Sequence, residues 1–243
     1  MLRREWHLQE RAKRAYYSIR LAPLAPDVLH LAFYEEEDAS GPIQREEALL
    51  LYGVIRVIRP KTVVEIGFLH GQSARNFLRA MDDDAVLYSF DIDPLAESAA
   101  RTIFANDQRL RFTLKSQDRI GAEDIDNRSI DFVLLDASHD LAMNRETFTR
   151  IEPLLAPGAI LAVHDTCAWS REGVQLSPGA VEYTEQHPGN WLPSGHFAHR
   201  PDEREFVNWI RETRPHYAQI HFHAESTLRH GVTLLQASTA LPT

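Results

Sequence analysis

The chain has 243 residues, of which 44% are hydrophobic and 25% are charged, as is usual for a globular protein with a sizeable core. Asp and Glu number 35 against 26 Lys and Arg, and the net charge of −9 argues against nucleic acid or an anionic membrane as partner. The single cysteine, Cys167, excludes an intrachain disulfide and a cysteine-based zinc cluster. The charged N-terminus lacks an apolar signal segment, and no apolar run reaches the roughly 20 residues that span a bilayer, so a cytoplasmic location is expected.

The first 42 residues are predicted to be a helical extension or lid before the main domain, which we expect to cover residues 43–243. Residues 3–20 are rich in Arg, Glu, Gln and Ala and predict a polar-faced helix. Residues 21–42 contain three prolines and an acidic cluster, which is interpreted as a solvated face. The extension could be a contact in a homo-oligomer or a cap over substrate, and the sequence leaves both open.

From residue 44 onward the apolar pattern predicts an α/β domain. Apolar residues at three- and four-residue steps predict a helix over 44–58 that ends before Pro60. Short apolar runs then alternate with helical stretches, which is typical of a parallel sheet covered on both faces. The predicted strands are 62–66, 86–92, 111–115, 131–137 and 159–165, with helices near 72–81, 94–105 and 143–155. Ligands of such sheets bind at the carboxyl ends of the strands.

The segment 167–201 interrupts this alternation and is predicted to be an inserted lid. It contains Trp169, Trp191 and several prolines and glycines but little periodicity, and a loop of this length in a compact domain is usually functional. A helix over 202–213 and two strands, YAQIHFHA and GVTLLQA, follow. We expect these strands to form an antiparallel pair at the edge of the sheet.

The first predicted strand runs into a turn that suits a bound nucleoside. Gly67 and Gly71 allow the backbone to turn tightly and to approach a ligand, and the helix that begins near Ser73 directs free N–H groups to the same place. The G-x-G-x-x-G pattern of a dinucleotide site is absent from this turn.

The next two strand ends complete such a site. Asp91 can accept hydrogen bonds from both hydroxyls of a ribose, and Ser116 and Gln117 are polar groups suited to the edge of an adenine. Three consecutive strand ends therefore predict a nucleoside site without a pyrophosphate cradle.

The ordered motifs TVVEIGFLHGQSA, LYSFDIDP, KSQD, DFVLLDASHD and APGAILAVHDT resemble those of the class I methyltransferases. They are most similar to the branch of catechol O-methyltransferase-like enzymes and metal-dependent natural-product and sugar O-methyltransferases, which includes a cephalosporin hydroxylase-like group. The resemblance covers about residues 43–167. It implies a Rossmann-like, mostly parallel seven-stranded sheet with a C-terminal antiparallel strand, and S-adenosylmethionine as cofactor.

The resemblance also implies roles for individual residues. The implied cofactor-binding residues are Glu65, Gly67, Gly71, Ser73, Asp91, Ser116, Gln117 and Asp136. The metal-dependent branch binds Mg²⁺ through an acidic residue after the fourth strand and an acidic or Asp-Asn pair after the fifth. Asp136 and Asp165 match this pattern, whereas His164 departs from it.

A divalent metal held by Asp136, His164 and Asp165 is therefore predicted. Two carboxylates suit Mg²⁺, while a histidine ligand fits Mn²⁺ or Fe²⁺ better. The alternative is that Asp136 caps a turn and Asp165 contacts substrate directly.

His139 is the predicted general base, because it lies in the DASHD motif where catechol-type enzymes carry a lysine. An imidazole can remove a proton from a hydroxyl whose acidity a cation has raised.

The predicted function is methyl transfer from S-adenosylmethionine to a hydroxyl of a small molecule, which could be a natural product, a sugar or a phenol. Three alternatives remain at this point. The same pocket could serve metal-independent transfer or a related reaction, since some members of the wider group are named as hydroxylases. A nicotinamide-dependent oxidoreductase and a non-catalytic nucleoside-binding protein are the others.

Overall fold

In a computed structural model, the residues described are 43, 45–166, 203–222 and 231–237. Their strands are β1 (Thr62–Ile66), β2 (Val86–Asp91), β3 (Leu110–Leu114), β4 (Ile130–Leu135), β5 (Leu155–Val163), β6 (Tyr217–Phe222) and β7 (Val232–Ala237). Their α-helices are α1 (Arg45–Ile58), α2 (Gln72–Ala80), α3 (Pro94–Ile103), α4 (Leu141–Ile151) and α5 (Glu203–Thr213). The predicted extension at 1–42 and the predicted lid at 167–201 lie outside these residues.

The seven strands form one sheet in the order β3-β2-β1-β4-β5-β7-β6. Strands β1 to β5 run parallel, while β7 pairs antiparallel with both β5 and β6. Because the order reverses direction at β1 and β4, the carboxyl ends of these neighbours border a crevice where ligands of α/β sheets bind. The predicted mostly parallel, seven-stranded Rossmann-like sheet with an antiparallel C-terminal strand is confirmed.

The sheet buries apolar side chains on both faces, since successive residues of a strand point to opposite sides. On one face Val133 belongs to the cluster that contains Phe148 of α4 and Phe206 of α5. On the other face the ring of Phe132 lies 5.5 Å from that of Phe77 in α2. This two-sided burial explains why the strands have continuous apolar sequences.

Two aspartates start the helices that follow β2 and β4. Asp93 accepts a hydrogen bond from the Leu95 N–H at 2.8 Å, and Pro94 occupies the first helical turn of α3. Asp140 accepts one from the Met143 N–H at 2.8 Å at the start of α4. Asp140 is therefore the N-terminal cap of α4.

The fourth helix and fifth strand differ from their predicted bounds. The helix was expected over 143–155 but ends at Ile151, and a 3₁₀ turn that contains Pro153 follows it. Proline has no N–H for the helical ladder, which explains the early end. β5 consequently begins at Leu155 instead of 159 and reaches its regular pairing with β4 through a bulge.

The membrane prediction can be compared with the helices that the structure describes. Among residues 45–166 and 203–213, no helix is long and apolar enough to cross a membrane.

Candidate active site

The carboxyl ends of β1, β4 and β5 bring three predicted site residues to one edge of the sheet. Backbone hydrogen bonds continue the ladder past the strands: the N–H of Gly67 donates to Phe90 O, that of Asp136 to Ile66 O, and that of His164 to Leu135 O, at 2.9, 2.8 and 3.0 Å. The loops that follow these strands are therefore held in register by the sheet.

Asp91 orders the glycine turn that follows β1. Its Oδ2 accepts hydrogen bonds from the N–H groups of Phe68 and Leu69, both at 2.9 Å, and its Oδ1 accepts one from the Asp93 N–H at 2.9 Å. Gly71 ends this turn with φ of +79°, a left-handed conformation that suits glycine. The carboxylate predicted to bind a ribose thus also fixes the turn beside it.

Glu65 is completely buried inside the first strand. Ser89 of β2 donates a hydrogen bond to its Oε2. Burial raises the pKa of Glu65 to about 7, although hydrogen bonds from Ser73 and Ser89 lower it. A buried carboxyl group that changes charge near neutral pH, at the edge where ligands bind, is typical of a functional site.

The polar residues after β3 are engaged within the protein. The hydroxyl of Ser116 donates to Asp118. The Nε2 group of Gln117 donates to Asn144 Oδ1 and Thr147 Oγ1, both at 2.9 Å, while its Oε1 accepts from the Ser138 N–H at 2.9 Å. Gln117 therefore ties the turn after β3 to α4 and to the loop that carries His139. The adenine contact predicted for these two residues stays a prediction.

Asp136, His164 and Asp165 converge into one cluster whose ligand atoms all lie within 4.8 Å of one another. His164 Nδ1 lies 3.0 Å from Asp136 Oδ1 and 3.4 Å from Asp165 Oδ1, and its Nε2 lies 2.8 Å from Glu47 Oε2 of α1. Burial lowers the pKa of His164, but the surrounding carboxylates of Asp136, Asp165 and Glu47 raise it well above 6.5. Asp165 has a φ of +57°, a strained conformation of the kind that clusters at functional sites.

His139 forms a pair with a glutamate that the sequence motifs did not indicate. Its Nδ1 lies 2.5 Å from Glu203 Oε1 at the start of α5, and its Nε2 lies 3.9 Å from Asp165 Oδ2. The hydrogen bond to Glu203 raises the pKa of His139 to about 9, with further contributions from the charges of Glu203, Asp165 and Asp136, against partial burial, which lowers it. The ring is thus held with one nitrogen on Glu203 and the other facing the Asp165 carboxylate.

The central part of the chain matches a known protein family. Residues 64–166 match the family described as a methyltransferase domain. This segment, less than half of the chain, is therefore similar to a methyltransferase domain. The match begins within β1, extends past β5 and includes every predicted site residue. No curated protein sequence matches the chain.

Solved structures with the same fold include several methyltransferases. An O-methyltransferase from Bacillus cereus in complex with SAH is 15% identical, with 86% of this chain and 88% of that chain covered and a TM-score of 0.59. TomG, an O-methyltransferase from Streptomyces achromogenes involved in tomaymycin synthesis and solved with SAM, is 18% identical, with 81% and 82% covered and a TM-score of 0.54. The SAH-bound methyltransferase PaMTH1 of Podospora anserina is 16% identical, with 88% of each chain covered and a TM-score of 0.57. At these identities the likeness establishes the fold.

The structure brings the predicted residues together in two groups and adds two carboxylates from outside the matched segment. Glu65, Gly67 and Asp91 surround the turn after β1, and the predicted metal ligands form the cluster at β4 and β5. The motifs did not indicate Glu47 and Glu203, each of which contacts a predicted site histidine. Both lie on buried helix faces, and their four-residue spacing from the buried Leu51 and Val207 was the signal available in the sequence.

Replacing Glu65 with glutamine is expected to stabilise the ligand-free protein at pH 8 by about 3 kcal/mol, an upper bound from the difference between an ordinary and a raised carboxyl pKa. A raised carboxyl pKa lowers stability as pH increases from about 4.5 to about 7, so the gain should disappear near pH 4.5. Urea unfolding at both pH values measures it. Glu146→Gln, an exposed change in α4, is the control, and an equal gain in both variants would contradict the prediction.

Proposed function

We propose that the protein transfers a methyl group from S-adenosylmethionine to a hydroxyl of a small molecule, with a divalent metal and His139 assisting. One observation carries the proposal: the cluster of Asp136, His164 and Asp165 lies beside the glycine turn, where a Cβ at Gly67 would lie only 1.9 Å from the backbone O of Asp136. Groups that could activate an acceptor are thereby next to the turn expected to hold the cofactor.

The cofactor supplies a methyl group already activated on a sulfonium, so the protein has mainly to bind, orient and deprotonate. Asp91 is proposed to accept hydrogen bonds from the ribose, and its fixed orientation favours this role. Glu65, Gly67, Gly71 and Ser73 are proposed to border the methionine portion. Ser116 and Gln117 are proposed to lie along the adenine. Because the side chain of Gln117 is hydrogen-bonded within the protein, the site would select adenine by its shape more than by a hydrogen bond from this residue.

The three-residue cluster fits a divalent metal. Ligands bound at roughly 2.1 Å in octahedral geometry are separated by roughly 3 Å, close to the 3.0 and 3.4 Å that separate His164 Nδ1 from the two aspartate oxygens. One nitrogen and two carboxylates favour Mn²⁺ or Fe²⁺ over Mg²⁺. A metal there would lower the pKa of an acceptor hydroxyl.

His139 is proposed to receive the proton of that hydroxyl on Nε2. Glu203 holds the opposite nitrogen, Nδ1, and would stabilise the charge that forms on the ring. An imidazole held in this way can accept a proton from a hydroxyl whose acidity a metal has raised.

Metal-independent transfer is the second candidate. The carboxylates around the buried His164 raise its pKa well above 6.5, which favours the charged ring, so it could supply part of the charge that a metal would bring. In metal-independent transfer, Asp91 would still bind the ribose and His139 would still accept the proton.

Calorimetric titration with S-adenosylmethionine and SAH, with Mn²⁺ or with EDTA, tests the proposal. We expect micromolar binding in the wild type and at least a hundredfold loss in Asp91→Ala, which removes the two hydrogen bonds that order the turn. Asp83→Ala, an exposed change before the opposite end of β2, should bind normally.

Turnover is then followed as SAH release with catechol and simple phenols. Absence of cofactor binding in the wild type would refute methyl transfer altogether. Turnover that survives EDTA would favour the metal-independent candidate.

A further inference from the structure

The strongest feature that the proposed function leaves unused is the carboxylate of Glu47. It belongs to α1, which precedes the sheet, and it lies outside the residues that match the methyltransferase family. Its Oε2 is 2.8 Å from Nε2 of His164, and both side chains are only 4% exposed. Burying a charged carboxylate lowers the stability of a protein unless the charge is paired. The pairing of Glu47 with Nε2 of His164 therefore suggests that the carboxylate has a role at this histidine.

The two ring nitrogens of His164 face different surroundings. Nε2 lies 2.8 Å from Glu47 Oε2, whereas Nδ1 lies within 3.4 Å of an oxygen of both Asp136 and Asp165. In the metal-free protein each ring nitrogen lies within hydrogen-bond distance of a carboxylate, Nε2 of Glu47 and Nδ1 of Asp136. A cation between the two aspartates would take the place of the proton on Nδ1, whereas the Nε2–H would stay on Glu47.

We propose that Glu47 is a positioning residue for a metal at Asp136, His164 and Asp165, acting by holding the Nε2–H of His164 so that Nδ1 is the ligand atom. The inference rests on the metal assistance proposed above. A metal-bound histidine ordinarily donates its other N–H to a carboxylate or carbonyl, which fixes the ring orientation and increases the basicity of the ligand nitrogen. Glu47 has the required position, burial and acceptor atom.

A consequence concerns which metal is held. Glu47 strengthens the bond through nitrogen and leaves the two aspartates unchanged, so its contribution is larger for metals that favour imidazole than for Mg²⁺. Removing its charge should therefore weaken Mn²⁺ and Co²⁺ binding more than Mg²⁺ binding.

The test compares wild type, Glu47→Gln and Glu46→Gln in the full chain by calorimetry with Mn²⁺, Co²⁺ and Mg²⁺. Glu46 is the exposed neighbour on the same helix and provides the matched control. We expect Glu47→Gln to bind Mn²⁺ and Co²⁺ 10- to 100-fold more weakly, and the visible spectrum of bound Co²⁺ to change, while Glu46→Gln equals wild type. SAH affinity and the melting temperature without metal report whether each variant is folded.

A measurement on the wild type avoids any failure of the variant to fold. In the Zn²⁺-loaded protein, imidazole NMR should show His164 protonated on Nε2 and metal-bound through Nδ1. Equal Mn²⁺ affinity of Glu47→Gln and wild type, or a metal bound through Nε2, overturns the role of Glu47 and leaves methyl transfer intact. A wild type that binds SAH but none of the metals overturns both the inference and the metal assistance.

Discussion

Replacing Gly67 with alanine is expected to abolish cofactor binding and to lower the free energy of unfolding by at least about 3 kcal/mol. Gly67 has a φ of +103°, and a Cβ there would lie 1.9 Å from the backbone O of Asp136. That oxygen belongs to the loop that carries the proposed metal ligand, so neither loop can move without disturbing the other. SAH calorimetry measures the loss of binding, and chemical denaturation measures the loss of stability.

Two other glycines distinguish backbone strain from steric clash as the cause of the lost stability. Gly158→Ala retains the strain of a positive φ, +80°, but its Cβ meets nothing within 4 Å. Gly53→Ala, in the exposed part of α1, has neither strain nor contact, and should be neutral or stabilising by up to about 1 kcal/mol. We expect the loss of stability to be largest for Gly67→Ala, smaller for Gly158→Ala and absent for Gly53→Ala. Normal SAH binding by Gly67→Ala would show that the turn does not hold the cofactor.

Replacing His139 with glutamine is expected to reduce turnover by about 10²- to 10⁴-fold, the usual contribution of a general base, while SAH affinity stays within about twofold. In the wild type kcat/KM should rise with pH, because Glu203 raises the pKa of His139 to about 9 in the absence of metal and only the deprotonated ring can accept a proton. Glu203→Gln should shift the titration of His139 to lower pH. Imidazole NMR of the metal-free protein measures that shift directly.

The same pair has an effect on stability that provides an independent check. A histidine whose pKa is raised by folding stabilises the protein fully below its unfolded pKa of about 6.5, and this contribution is lost as pH rises through about 9. Glu203→Gln should remove this decline in the free energy of unfolding between about pH 6.5 and about pH 9. His216→Gln, an exposed change before β6, should leave both the pH profile and turnover unchanged. Turnover that does not change in His139→Gln would remove this residue from the mechanism.

The sequence predicted what local periodicity and strand ends determine. Each strand of the parallel sheet has an apolar run, and the polar residue after it had to lie at the ligand-binding edge, which located Asp91, Asp136 and Asp165. Contacts between distant segments could not be obtained in this way. Glu203 reaches His139 from 64 residues away, and Glu47 reaches His164 from 117 residues away.

Helical periodicity nevertheless contained part of the missing information. Glu47 lies one turn before the buried Leu51 in α1, and Glu203 lies one turn before the buried Val207 in α5. Residues four apart share a helix face, so each glutamate falls on an apolar stripe where a charge needs a buried partner. The stripe indicates that a partner exists, but only the packing of the helix identifies it.

The position of β7 between β5 and β6 governs how the sheet is assembled during synthesis. β1 to β5 can pair as they leave the ribosome, but the edge of β5 stays open until residues 232–237 have been made and inserted. An open edge of this kind is a template for pairing with another chain. A nascent or truncated chain that ends before β7 should therefore self-associate through β5, and it would be a natural client for chaperones.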